Sequence, residues 1–164
     1  MLRAYLNLDT NLINSSYAAA DKLIDTAFPP FNPTEPILIA TFVNVKDLDD
    51  SSAFGKTISE QISARFAQKN YKVIELKLRK NIFVRQNSGE LLLSREAMNI
   101  GKEHKAQCVV VGTYSVANYL VYVSSSIVRF SDNAIIAKYD YTVPLGANNR
   151  NLLNLPIGEW KSNV

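Results

Sequence analysis

The chain has 164 residues, of which 47% are hydrophobic and 20% are charged. This length fits one domain with one core, and the composition excludes the low hydrophobicity and high charge of a disordered chain. The net charge of +3 includes a mildly basic zone between Lys69 and Lys105, with nine Lys or Arg residues against four Glu. A solvated surface is a better interpretation of that zone than a site for an anionic partner.

The N-terminus and the single cysteine limit the class of protein further. No apolar run reaches 18 residues, and Met1 to Asn7 lack the apolar stretch of a signal peptide. We predict a flexible N-terminus over residues 1–10, and either a cytoplasmic protein or an exported one whose signal has been removed. Cys108 begins the apolar run that ends at Val111, which predicts a buried core residue rather than a reactive thiol.

Two helices and two strands are predicted in the first half of the chain. Apolar residues at steps of three and four predict a helix over 11–28, ended by Pro29. Its apolar stripe consists of Ile13, Tyr17, Ala20, Ile24 and Ala27. The nearly continuous apolar run at 37–45 predicts a strand buried on both faces. An apolar repeat at every fourth residue predicts a helix over 53–68, and 71–78 is predicted as the second strand.

The middle of the chain predicts a loop, a helix and a strand. The polar stretch 79–89 is interpreted as a loop with a short turn at 82–84. A third helix begins near Ser94, which is a good N-cap, and a third strand follows at 108–114. Three strands alternating with two helices imply right-handed crossovers and a parallel core.

The pattern changes near residue 119. Two long strands, 119–130 and 134–143, flank the turn residues Ser131-Asp132-Asn133 and predict an antiparallel hairpin. The expected fold is α/β: a mixed five-stranded sheet of order 2-1-3-4-5, with a parallel core of three strands, a C-terminal hairpin and helices on its faces. One domain is expected over 11–146, followed by a loosely structured tail over 147–164.

No complete phosphate-binding or calcium-binding motif is present. Gly55-Lys56-Thr57 follows a strand and opens a helix, but Asp50 stands where a phosphate-binding loop needs its first glycine. The acidic residues Asp47, Asp49 and Asp50 lack the glycine and glutamate of a calcium loop. A solvated loop that opens a helix is therefore expected here, with no cofactor and no metal.

The only histidine, His104, does not complete a catalytic set. A triad needs a nucleophile and an orienting acid, but Cys108 is predicted to be buried and no Gly-x-Ser-x-Gly elbow exists. We interpret His104 as the end of a helix and predict no catalytic residues and no enzyme activity. A small ligand at the carboxyl ends of the parallel strands, near 44–52 and 112–115, stays an alternative.

The closing hairpin is the best candidate for an interface. Its faces carry tyrosines and small hydroxyl side chains rather than the charge of a solvent-exposed face. Its few basic residues do not favour a platform for nucleic-acid bases, whereas tyrosine is common where proteins meet. We predict contact with a protein and not with nucleic acid, through Tyr119, Tyr122, Arg129, Tyr139 and Tyr141.

Two segments carry a resemblance to a known family. They are Gly89-Glu90-Leu91-Leu92-Leu93-Ser94-Arg95-Glu96 and the run Ala106-Gln107-Cys108-Val109-Val110-Val111-Gly112-Thr113-Tyr114-Ser115-Val116. With the order of elements, they resemble the FlgO domain family, outer-membrane-associated proteins linked to the bacterial flagellum. The likeness covers about residues 17–145. More distantly, the layout is similar to the N-terminal domain of TolB, to CsgG and to the lipoprotein activators of penicillin-binding proteins.

The resemblance implies a non-enzymatic protein-interaction domain on the periplasmic side of the outer membrane. Its expected partners are proteins of the outer membrane or the flagellar basal body, and its expected role is in flagellar assembly or motility. Membrane attachment would be only through a lipid anchor that this chain lacks. A regulator of a cell-wall synthase is the alternative that the activators imply.

Overall fold

A computed structural model describes residues 11–50, 52–76, 78, 81–85 and 91–156. The flexible N-terminus predicted at 1–10 lies outside the described residues. The helices are α1 (Leu12–Thr26), α2 (Ala53–Gln68), α3 (Arg95–Glu103) and α4 (Ala147–Leu152). The strands are β1 (Ile37–Ile39), β2 (Val43–Asn44), β3 (Val73–Glu75), β4 (Phe83–Arg85), β5 (Leu91–Leu93), β6 (Cys108–Val116), β7 (Leu120–Arg129) and β8 (Ile135–Pro144).

The main sheet has the strand order β3-β1-β6-β7-β8, and β2 pairs with β6 beyond the end of β1. Strands β3, β1 and β6 are parallel to one another, whereas β7 is antiparallel to both of its neighbours, β6 and β8. The predicted order and the mixed α/β fold class are therefore confirmed. Within the described part of the chain, every helix is too short or too polar to cross a membrane.

The two faces of the sheet are covered unequally. Helices α1 and α2 and the region of α4 enclose the larger core on one face. On the opposite face, α3 and the β4–β5 hairpin enclose a smaller core over the parallel strands, around Leu38, Val109 and Val111. Farther along that second face the sheet is less covered, with Ser124 and Ser126 of β7 partly exposed. Four side chains there are exposed: Tyr122, Lys138, Asp140 and Thr142.

The first predicted strand, 37–45, is divided into β1 and β2 by an irregularity. Ile39 pairs with Val110, and Val43 pairs with Thr113. Between these two pairs, the chain advances by four residues from Ile39 to Val43 but by only three residues along β6, from Val110 to Thr113. Because side chains alternate along a strand, one extra residue turns every later side chain to the opposite face.

This reversal places Phe42 in the larger core, whereas unbroken alternation would place it beside Leu38 and Ala40. The Phe42 ring lies against Gly112 of β6, and its carbonyl oxygen lies against Gly55 of α2. A Cβ atom added at either glycine would collide with Phe42. The glycine in Gly55-Lys56-Thr57 therefore lets the helix approach the strand closely.

The buried face of α1 differs from the predicted stripe. Ser16 and Leu23 are fully buried, whereas Ile13 is 46% exposed. Small residues on this face allow α1 to pack closely against both α2 and β8. The helix pair is also fixed by Asp21, whose carboxylate accepts hydrogen bonds from Arg65 Nε at 2.8 Å and Nη2 at 3.0 Å.

Two predictions of irregular structure are wrong. The predicted loop 79–89 contributes β4, which pairs with β5 in antiparallel register, Phe83 opposite Leu93. The predicted tail begins with α4, and Leu153 after it is 7% exposed in the larger core. Both elements are too short for periodicity to reveal them, since tertiary burial rather than propensity stabilises such elements. The rest of the predicted tail, residues 157–164, lies outside the described residues, and the predicted domain boundary at 146 stays a prediction.

Candidate protein interface

Strands β6, β7 and β8 form an antiparallel closing sheet whose two faces differ in what covers them. On the face that carries α1, Val121, Val123 and Ile127 are buried. On the other face the alternate side chains are partly or fully exposed, and we call this surface the open face. The open face comprises Thr113, Ser115, Tyr122, Ser124, Ser126, Lys138, Asp140 and Thr142.

The strand register determines which side chains of the open face are neighbours. Three rows cross the strands: Ser126-Lys138, which continues from the buried Val111, then Thr113-Ser124-Asp140 and Ser115-Tyr122-Thr142. Lys138 Nζ donates a hydrogen bond to Ser124 Oγ at 3.2 Å. One aromatic ring, one cation and one anion thus stand among small hydroxyl groups, a mixture that suits a polar interface rather than a core.

A trough runs along the open face. Its first part, about 390 Å³, lies between the sheet, the β4–β5 hairpin and Met98 of α3. Apolar side chains dominate this part, among them Phe83, Leu91, Leu93, Val111 and Val128. Its second part, about 340 Å³, lies over Tyr122 and Thr142. Thr113 and Ser124 line both parts, so one binding segment could bury apolar groups in the first and form hydrogen bonds in the second.

All five residues predicted as an interface are at least partly exposed to solvent, but they do not lie together. Tyr122 is 55% exposed on the open face, and Tyr119 is 74% exposed between β6 and β7. Arg129 lies at the far end of β7, where its Nη2 donates to Asp132 Oδ2 at 2.6 Å. These three side chains therefore do not form one contiguous patch, and only Tyr122 lies on the open face.

The other two predicted residues, Tyr139 and Tyr141, lie on the covered face of β8. Their rings stack with centroids 5.7 Å apart and pack against the larger core. The Tyr141 hydroxyl is buried beside the Ser16 side chain and forms no hydrogen bond of good geometry with the described residues, and burial raises the pKa of Tyr141. These two tyrosines contribute first to packing, which strand alternation alone could have indicated.

The acidic loop after β2 is fixed by its own hydrogen bonds. Asp50 accepts from the Ser52 backbone N–H at 2.9 Å and from Asn44 Nδ2 at 3.2 Å. Ser52 Oγ lies 2.7 Å from the Tyr114 hydroxyl, and burial raises the pKa of Tyr114. Across the described ranges, no three His, Cys, Asp or Glu residues are grouped to hold a metal ion. The loop therefore joins β2, β6 and the start of α2, and the small-ligand site predicted there stays a prediction.

The two residues weighed as reactive groups also have structural roles. Cys108 is 1% exposed, and burial raises the pKa of its thiol to about 12, so the thiol stays protonated near neutral pH. His104 is the C-cap of α3, and its backbone N–H donates to the Ile100 carbonyl at 3.1 Å. The predicted core position of Cys108 and helix-end position of His104 are confirmed.

Family comparison identifies the domain. The profile of the FlgO protein family matches residues 17–148, which is most of the chain. The chain belongs to the FlgO family. No curated protein sequence matches this FlgO-family chain. The family match agrees with the resemblance carried by the segments around Gly89 and Gly112.

Solved structures with the same fold extend the comparison of this FlgO-family domain. The C-terminal domain of LpoB from Salmonella enterica has a TM-score of 0.62 at 12% identity, covering 83% of this chain and 100% of that one. The domain from Escherichia coli LpoB has a TM-score of 0.58 at 12% identity, covering 82% and 98%. The PelC dodecamer from Paraburkholderia phytofirmans has a TM-score of 0.51 at 13% identity, covering 78% and 94%. At such identities the likeness shows the fold alone.

Proposed function

We propose that this FlgO-family domain is a non-enzymatic protein-binding module of the cell envelope, and that its partner docks on the open face. The observation that carries the proposal is the unequal covering of the closing sheet. One face of β7 is buried, whereas Tyr122 on the other face is 55% exposed and borders a trough. Sheets generally bury a face against other elements, so a long face left open beside a concave surface favours a binding role.

The side chains of the open face suit a protein partner. Tyr122 offers a large ring with a polar tip, which gives much contact area for few rotatable bonds. The neighbouring hydroxyls of Ser115, Ser124 and Thr142 can both donate and accept hydrogen bonds. Lys138 and Asp140 add one charge of each sign, which would orient a partner more than it would strengthen binding.

Family membership supports a more specific role. We propose that the partner belongs to the outer membrane or the flagellar basal body, and that the domain acts in flagellar assembly or motility. It would work on the periplasmic side of the outer membrane, held there by a lipid anchor. Regulation of a cell-wall synthase is the second candidate, which the shared LpoB fold and the resemblance to lipoprotein activators favour.

The test is genetic, with the open face altered in the full-length protein. Deletion of the gene is expected to reduce motility and the number of assembled flagella. Reintroduction of Tyr122→Ala is expected to restore motility poorly, because the exposed ring is lost while the core is untouched. The matched control is Ile13→Ala, which removes an apolar side chain, 46% exposed, from α1 on the other side of the sheet.

A different experimental result would contradict each part of the proposal. Unchanged motility and flagellation after deletion would remove the flagellar role, and altered cell-wall synthesis in the same strain would favour the second candidate. Equal motility with Tyr122→Ala and Ile13→Ala, at equal protein levels, would show that the open face is not the docking surface.

A further inference from the structure

Strand β8 lies at one edge of the main sheet. In the order β3-β1-β6-β7-β8 it pairs with β7 on one side, and within the described residues no strand pairs with its other side. Its ten residues, Ile135–Pro144, are far more than the three of β3 at the opposite edge. Proteins usually keep exposed edges short or covered, because unpaired backbone groups can add a further strand.

The two ends of β8 are covered, but its middle is not. At the start, the Phe28 backbone N–H donates to the Ile136 carbonyl at 3.0 Å. At the end, Asn149 Nδ2 donates to the Pro144 carbonyl at 2.9 Å. Between these two contacts, none of the residues that the structure describes pairs with the outer edge of residues 137–143. The Phe28 side chain, 80% exposed, stands beside this edge although it is large and apolar.

We propose that the middle of β8 pairs with β8 of a second copy of this chain, antiparallel, about a two-fold axis at Tyr139. In an antiparallel pair, residues directly opposite each other point to the same face. A two-fold axis between identical strands must therefore place one residue opposite its own copy. The charges of Lys138 and Asp140 determine which residue that is.

The charge pattern favours Tyr139 over its neighbours. With the axis at Lys138, the two copies of Lys138 would face each other, and with the axis at Asp140 two carboxylates would meet. With the axis at Tyr139, Lys138 of each copy faces Asp140 of the other, so two opposite-charge pairs flank the axis on the exposed face. A self-complementary patch of this kind is what a two-fold interface requires.

The same register fits the aromatic side chains. On the covered face, Tyr139 of one copy would lie opposite Tyr139 of the other, beside the existing Tyr139–Tyr141 stack. Phe28 would flank the joined strands at both ends and lose part of its exposure. The open faces of the two copies would lie on the same side of one continuous sheet.

The experiment measures self-association of the purified chain by sedimentation velocity at rising concentration. The chain itself is expected to form dimers. Lys138→Asp or Asp140→Lys alone places like charges opposite each other, and each is expected to raise the dimer dissociation constant at least about tenfold. The double variant, Lys138→Asp with Asp140→Lys, restores opposite charges and is expected to restore the dimer. Lys56→Asp, the same charge change on exposed α2, is the control and should leave the dimer unchanged.

Two results would overturn the inference. One is a chain that stays monomeric into the millimolar range. The other is a dimer that the single variants leave intact, or that they weaken without rescue by the double variant. The circular dichroism of each variant would show that the fold persists. Because no envelope partner is present, this outcome is independent of whether the open face binds one.

Discussion

The parallel half of the sheet and its closing half are built from the same strand β6 but are covered differently. Around β1, both faces are buried: Ile37 and Leu38, which point in opposite directions, are each 0% exposed. Around β7, Val121 is 0% exposed whereas the next residue, Tyr122, is 55% exposed. Substitutions in the first half should therefore act on stability, and substitutions on the open face should act on binding.

The largest loss of stability is expected from Gly55→Ala, in the doubly covered half. A Cβ atom at this position would collide with the Phe42 carbonyl, which is backbone and cannot rotate away. Overpacking of this kind should lower the free energy of unfolding by about 3 kcal/mol, measured by urea denaturation.

The matched control is Gly101→Ala in α3. The three atoms nearest to its Cβ would all belong to the ring of Phe130, a partly buried side chain that can turn aside. Alanine also favours the helix over glycine by up to about 1 kcal/mol, which offsets the contact. Equal losses for the two variants would contradict the role given to the contact between Gly55 and Phe42.

A smaller effect distinguishes two buried tyrosines. Tyr114→Phe removes the partner of the buried Ser52 hydroxyl, which lies 2.7 Å away, and should cost about 1 to 2 kcal/mol. Tyr141→Phe removes a buried hydroxyl that lies beside Ser16 without a hydrogen bond of good geometry, and should change stability by less than about 0.5 kcal/mol or increase it. The two free energies of unfolding check this pair, and a greater loss for Tyr141→Phe would contradict it.

The sequence predicts the fold well where the pattern is long. The helices at 11–28 and 53–68 and the strands of the closing hairpin repeat their apolar residues over enough positions to define both type and order. The division of the first strand could not be predicted, because the reversal at Phe42 depends on the space left by Gly55 and Gly112, which are distant in sequence. The periodicity of apolar residues predicts the structure of one segment at a time. It does not predict which residues of other segments pack against that segment.

The candidate site was predictable only in part. The apolar pattern predicts the closing hairpin, but the predicted interface combines tyrosines from both of its faces, since alternation places Tyr122 and Tyr141 on opposite sides. The sequence does not predict the β4–β5 hairpin, which forms one wall of the trough. The sequence signal for this hairpin is a polar stretch, residues 86–90, between two short apolar runs, and the same pattern is typical of a plain loop. Short helices and strands are stabilised mainly by burial against the rest of the fold, so their own sequences do not predict them.

The smallest expected effect lies in the exposed turn of the closing sheet. Hydrogen bonds from Arg129 and from the Ala134 backbone N–H lower the pKa of Asp132 from 3.8 to about 2. Because the folded state lowers this pKa, the contribution to stability is present above about pH 4 and is lost as the pH falls toward about 2. Asp132→Asn should therefore make the stability of the protein less steeply dependent on pH across that range.

Urea denaturation at a series of pH values measures this slope. Glu60→Gln is the control, since it removes an exposed carboxylate of α2 that forms no ion pair with described residues. The effect of Asp132→Asn should be modest, because Arg129 and Asp132 are both partly exposed and solvent screens them. A slope identical to that of the unaltered chain would show that the pair orders the turn without stabilising the closing sheet, which would then depend on its covered face alone.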